Sequence, residues 1–168
     1  MSIPGRQVSR ALPDPRSAIS RTIAIAAAGT LMLGILLFAG SNVAMAQQVI
    51  APERARDMAR NGEVMIIDIR RPDEWQETGI PSGAERATVS FNRGTAKFLR
   101  RIAKLTEGDK SKPIALICAA GVRSKHASQL LRNRGYTQVM DISEGMLGNE
   151  RGAGWLRRKL PVNRCGDC

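Results

Sequence analysis

Aromatic residues are scarce, at 4% of 168 positions, so any core must be mainly aliphatic. Three Cys and one His are too few for a zinc-finger array or a dense disulfide scaffold. Acidic residues are in deficit, 15 against 26 Lys and Arg, for a net charge of +11. Only one long apolar run occurs, residues 22–40, which excludes a multi-span membrane protein. No phosphate-binding loop, dinucleotide fingerprint or metal-ligand cluster is present, so no cofactor and no metal is implied. What is present, 43% hydrophobic and 24% charged residues, is the composition of a folded domain. The length suits one such domain.

The first segment reads as an address. Arg6, Arg10, Arg16 and Arg21 precede the uncharged run TIAIAAAGTLMLGILLFAG. Ala44-Met45-Ala46 then offers small residues at a cleavage site before Gln47. A basic region, an apolar region and an A-x-A site in that order predict a secretory signal peptide over residues 1–46. The rival reading is an uncleaved membrane anchor, because the run as a helix is roughly 28 Å long at ~1.5 Å per residue. Either way the Arg-rich flank stays inside and residues 47–168 are exported. The expected compartment is a bacterial periplasm. Membrane attachment is expected only if the segment is uncleaved. Residues 1–46 hold four Arg and one Asp, which leaves 22 basic against 14 acidic residues. Nucleic acid is not expected as a partner outside the cytoplasm, and the basic excess is read as a solvated surface or as attraction for small anions.

Beyond residue 47, strands and helices alternate. Pro52 to Arg60 predicts a helix stopped by Asn61-Gly62. Val64 to Ile67 and Ile114 to Ile117 are short continuous apolar runs, the pattern of strands buried on both faces. Residues 68–84 predict a loop with one helical turn around Asp73 to Gln76. Ala87-Thr88-Val89 predicts a short strand. Thr95 to Thr106 is amphipathic, with Phe98, Leu99, Ile102 and Leu105 on one face. Ser124 to Arg134 predicts a helix, Val139 to Ile142 a strand, and Leu147 to Arg158 a last helix. The fold class is α/β: a small parallel β-sheet flanked by helices on both faces.

The chemistry concentrates in Cys118-Ala119-Ala120-Gly121-Val122-Arg123-Ser124. A buried strand ends at Cys118, and a helix begins near Arg123. The unpaired N–H groups at a helix start favour an anion. Successive loop amides can curl around one. Such a setting favours the nucleophilic thiolate of a cysteine. Gly121 allows a tight loop. Arg123 offers a positive fork, either for an anionic substrate or for bracing the loop. The competing reading is a buried, inert strand-end cysteine.

This loop, with the helix through Gly135-Tyr136, resembles the active-site loop of the rhodanese family of sulfurtransferases. Ile66-Ile67-Asp68-Ile69-Arg70, Pro72-Asp73-Glu74-Trp75, Gly79-Ile80-Pro81 and Gly83-Ala84 resemble that family's first signature. Glu144-Gly145-Met146, Trp155 and Leu160-Pro161-Val162 resemble its final part. The resemblance implies a rhodanese-like domain over residues 47–162, followed by a tail, 163–168. It implies that Cys118 takes sulfane sulfur from a small anionic donor such as thiosulfate and becomes a persulfide. The amides of Ala119, Ala120, Gly121, Val122, Arg123 and Ser124 would cradle the sulfur. A thiol or a cyanide-like acceptor would then remove it. Asp68 and Arg70 would brace the site. In related Cys-based phosphatases the span from Cys to Arg is one residue longer, which suits a phosphate-sized oxyanion. Two departures stand out: the family's His before Ile80-Pro81 is absent, and Gly145 is followed by Met146 where a Gly pair is frequent.

His126 is the only His and lacks an orienting third group, so an outward position is expected. Cys165 and Cys168 have the spacing of a redox pair or a local disulfide. They carry the alternative function, an exported thiol-disulfide oxidoreductase. A non-catalytic interaction domain on the same fold is a further alternative. A cysteine at position 118 argues against it, since non-catalytic members of the family often replace that residue.

Overall fold

A computed structural model describes residues 48–166 of the chain, all within one unit spanning residues 45–168. The expected signal segment, 1–46, and Cys168 lie outside the described residues. The elements in chain order are β1 (Gln48–Val49), α1 (Pro52–Arg60), β2 (Met65–Asp68), α2 (Pro72–Thr78), β3 (Ile80–Pro81) and β4 (Glu85–Arg86). They continue with α3 (Ala96–Leu105), β5 (Ile114–Ile117), α4 (Val122–Arg132), β6 (Val139–Asp141), α5 (Gly154–Arg157) and β7 (Val162–Asn163).

Five strands form a parallel sheet in the order β1-β6-β5-β2-β4. The centre is β5, whose four residues are all buried. Side chains alternate across a sheet, so its two faces build two cores. Ile114, Leu116 and Cys118 pack with Phe98 and Ile102 of α3 and Ala127 and Leu131 of α4. Ala115 and Ile117 pack with Ala55 of α1 and with Trp155, Met146 and Leu160. Each buried Ile or Leu contributes roughly 1.5–3 kcal/mol on leaving water. Cys118 continues the odd-even pattern of β5 and therefore sits at the rim of the first core, at the carboxyl end of the sheet.

The structure differs from the sequence expectations in five places. The single turn expected at Asp73 to Gln76 is a seven-residue helix, α2, started by Pro72 and ended by Gly79. The strand expected at Ala87 to Val89 lies earlier, at Glu85–Arg86. Ala87 and Val89 still donate to the Asp68 and Ile69 carbonyls, so the apolar residues sit against β2 just past the regular ladder. Helix α4 starts at Val122, ahead of the expected Ser124, because Gly121 takes the N-cap position with φ +84°. The long helix expected over Leu147 to Arg158 is reduced to Gly154–Arg157. A tight turn closed by reciprocal bonds between Asn149 and Gly152 breaks it. Finally, a small antiparallel ladder joins β3 to β7, so Asn163, expected to open a tail, pairs with Ile80. No helix of the described residues is long and apolar enough to cross a membrane.

Candidate active site

Cys118 leaves β5 with its side chain buried, 1% exposed, and the chain folds back around the sulfur. The N–H of Gly121 donates to Cys118 Sγ at 3.2 Å, and that of Ser124 at 3.4 Å. The Ser124 hydroxyl lies 3.5 Å from the same sulfur and donates to the Gly121 carbonyl at 3.1 Å. Two amides therefore donate to one thiol at the first turn of α4, and the thiol in turn donates to the Ser124 oxygen. Amide donors and the positive end of a helix both lower the energy of negative charge there.

The loop is fixed from behind by the segment after β6. The carbonyls of Cys118 and Ala119 accept the N–H groups of Met146 and Leu147, both at 2.9 Å. Asn149 donates to the carbonyls of Ala120 and Ser143, at 2.9 and 2.8 Å. Two glycines make this approach feasible. A Cβ on Gly121 would meet the Ser143 carbonyl oxygen at 2.0 Å, and one on Gly145 the Ala119 oxygen at 2.4 Å. The segment is itself pinned by Glu144, 6% exposed, which accepts bonds from Arg158 and from the Gly154 N–H at 2.9 Å. Arg158 also pairs with Glu53 of α1.

Arg123 projects from the first turn of α4 and clamps Glu74 of α2 through two bonds, 2.8 and 2.5 Å. Glu74 also accepts the Arg71 N–H at 3.0 Å, closing the start of α2. Burial pushes the Glu74 carboxyl up. The Arg123 and Arg71 hydrogen bonds and charges outweigh that effect and hold it below its usual range. The Arg123 guanidinium is shifted up, chiefly by its hydrogen bond to Glu74, with smaller contributions from the charges of Glu74 and Cys118. Of the two roles the sequence left open for Arg123, its guanidinium occupies the bracing one. Glu74 was not singled out in the sequence. Its signal was the acidic third residue of a helix that starts at a proline.

Asp68 and Arg70 form a buried pair, bonded at 2.7 and 3.0 Å. The rest of the Arg70 guanidinium donates to the Glu74 carbonyl, the Thr78 hydroxyl and the Gly79 carbonyl. All of its donors are thus engaged. The pair secures α2 to the end of β2, and α2 carries Glu74. These residues reach the loop through Glu74 and Arg123.

His126 is exposed, with its ring edge-on to Phe91 at 6.0 Å between centroids. Cys165 is disulfide-bonded and lies 3.4 Å from the Arg86 guanidinium. Among the described residues, no cluster of three or more His, Cys, Asp or Glu could hold a metal ion. Cavities flank the loop on two sides. One of about 270 Å³ is lined by Gly121, Val122, His126 and Ser143, and one of about 630 Å³ by Arg71, Phe91, Arg93 and Arg123.

Comparison with known proteins gives a consistent picture. The rhodanese-like domain family model matches residues 51–149. An uncharacterised protein of Rickettsia conorii, RC0915, is 30% identical over 120 residues, which are 70% of this chain and 98% of that protein. A tRNA uridine(34) hydroxylase of Pelagibacter ubique is 26% identical over 98 residues, 58% of this chain and only 30% of that enzyme. Among solved structures, the polysulfide-sulfur transferase homodimer of Wolinella succinogenes superposes with a TM-score of 0.53 at 24% identity. That match covers 70% of this chain and 78% of the other, and it establishes a common fold.

Proposed function

Because the chain belongs to the rhodanese-like domain family, we propose that it is a sulfurtransferase working through a persulfide on Cys118. The observation that carries this reading is the pair of amides, from Gly121 and Ser124, aimed at one buried strand-end sulfur.

The reaction has two displacements. The Cys118 thiolate attacks the outer sulfur of thiosulfate. The S–S bond of the donor breaks, its electron pair leaves on sulfite, and Cys118 holds an additional sulfur. In the second step an acceptor, cyanide or a thiolate, attacks that outer sulfur. The electron pair of the persulfide bond returns to Cys118. A covalent intermediate splits the transfer in two, which gives ping-pong kinetics. The negative outer sulfur sits where amides of residues 119–124 can stabilise it without reorganisation. The six-residue span from Cys118 to Arg123 makes a small ring, suited to one sulfur more than to a phosphate.

Export completes the proposal: the Arg-rich, apolar and A-x-A segments of residues 1–46 support delivery to the periplasm. Mass spectrometry of the protein purified from its host tests both parts. The expected results are an N-terminus at Gln47 and, after thiosulfate, a gain of one sulfur atom confined to Cys118. A folded protein that never acquires this sulfur overturns the enzymatic reading.

A further inference from the structure

A third cavity, of about 640 Å³, lies between α2, α3 and the connection from β4 to α3. It shares Pro72, Thr88, Ser90 and Arg93 with the 630 Å³ cavity that Arg123 lines, so the two form one groove leading away from the loop. Its polar wall consists of Arg86, Arg93, Lys97 and Arg101. Arg101 is partly neutralised by Glu85, at 3.2 Å. Among the described residues, Arg93 and Lys97 form no ion pair. The floor holds Phe98 and Trp75, with Arg86 stacked 5.7 Å from the Trp75 ring centre.

The groove is built for more than the donor. Thiosulfate or cyanide would fill a small part of it, whereas cavities of roughly 300–1,000 Å³ hold whole organic ligands. The positive charge selects an anion, and the aromatic floor accommodates its carbon skeleton. We propose that this groove binds the physiological sulfur acceptor, a small organic thiol bearing two or more negative charges; this rests on the persulfide reading of Cys118. The anionic end is held by Arg93 and Lys97. The thiolate reaches toward Arg123 and attacks the outer sulfur of the persulfide. A new S–S bond forms on the acceptor, the old one breaks, and its electron pair restores the Cys118 thiolate.

Two measurements separate this inference from the reading beneath it. The first loads Cys118 with sulfur from thiosulfate and follows its removal by mercaptosuccinate, a dianionic thiol, and by 2-mercaptoethanol, a neutral one, at matched thiolate concentration. Mercaptosuccinate should be faster by about tenfold, the effect of one charge-assisted hydrogen bond. The ratio should fall to about one in Arg93→Gln/Lys97→Gln and in high salt. Equal rates in the parent protein, or a ratio that survives the double substitution, overturn the inference. The second titrates Cys118→Ser protein with mercaptosuccinate by calorimetry, which needs no chemistry. Saturable binding that disappears in Arg93→Gln/Lys97→Gln supports the groove even if no persulfide ever forms, in which case only the sulfur-transfer reading fails. Absence of saturable binding overturns the groove as an anion site.

Discussion

Arg123 holds both carboxylate oxygens of Glu74, at 2.8 and 2.5 Å, and so ties the first turn of the helix after the cysteine loop to the helix after the neighbouring strand. The loop amides that meet Cys118 belong to this first turn. Their direction therefore depends on a residue 49 positions away in sequence. Glu74→Gln removes the charge and one of the paired acceptors but keeps the shape. A two-point clamp becomes a weaker single contact, so persulfide formation should slow by about tenfold, the equivalent of roughly 1.4 kcal/mol. Single-turnover kinetics with thiosulfate, beside a melting curve, separate this from global unfolding.

The same pair sets a pH dependence. The Glu74 carboxyl is held below its ordinary value in the folded protein. A group with a depressed folded pKa contributes stability that is fully present above its unfolded value, about 4.3. That contribution is lost as pH falls through the folded value. The parent protein should therefore lose stability between about pH 4.5 and lower pH more steeply than Glu74→Gln does. Parallel denaturant titrations across that range check it. Identical slopes for the two proteins would mean that the clamp does not couple to folding.

Gly121 has φ +84°, and a Cβ there would lie 2.0 Å from the Ser143 oxygen. Gly121→Ala cannot be absorbed by a rotamer change, because the obstacle is backbone. The loop must move off the Ser143–Met146 turn, which turns the Gly121 amide away from the sulfur. The substitution should abolish persulfide formation and cost about 1–3 kcal/mol of stability. Gly62→Ala is a matched comparison. Its φ is +74°, but no atom crowds the added methyl, so only the stability loss should appear. Mass spectrometry after thiosulfate and thermal melts distinguish the two outcomes.

Much of this architecture was legible in the sequence because its signals are local. Pro52 and Asn61-Gly62 delimit α1 at both ends. The run Ile114 to Ile117 matches β5, since a strand covered on both faces needs no polar residue. Cys118 at its end, followed by Gly121, marked the loop. What was not legible depends on distant partners. Glu74 was visible as part of a helix start, but nothing local says that its carboxylate meets Arg123. Leu147 to Arg158 carries helical spacing, but the Asn149–Gly152 turn and the Glu144 contacts with Gly154 and Arg158 reshape it. The pairing of β3 with β7 joins residues 81 and 83 positions apart, which no short motif encodes.

Asp68 and Arg70 supply a different test, because both are buried. Arg70 is 1% exposed and Asp68 0%. Removing one partner of such a pair leaves a buried charge without compensation, at a cost of about 3–5 kcal/mol. Asp68→Asn should lower stability by an amount in that range, measured by urea unfolding. Arg70→Lys should be nearly as harmful despite keeping the charge. A lysine ammonium cannot bond Asp68 in two places while also reaching the Glu74 carbonyl, the Thr78 hydroxyl and the Gly79 carbonyl. Both variants should lose sulfur transfer only in proportion to the folded fraction at low denaturant.

His126 decides between two ways of activating the thiol. If an imidazole took the proton from Cys118, as in a Cys-His dyad, His126→Ala would reduce transfer by two orders of magnitude or more, about 10²–10⁴-fold. The ring is instead exposed and turned edge-on to Phe91, while Cys118 Sγ accepts the Gly121 and Ser124 amides. Activation by fixed dipoles needs no base. His126→Ala should then keep transfer within about twofold of the parent at neutral pH, since exposed substitutions away from such donors change energies by roughly 0.5 kcal/mol or less. Ser124→Ala, by contrast, removes the hydroxyl 3.5 Å from the sulfur and frees the Gly121 carbonyl, so it should slow persulfide formation more than His126→Ala does. Steady-state rates with thiosulfate and cyanide for the two variants, side by side, give the order. A larger loss in His126→Ala would replace the dipole account with general-base catalysis.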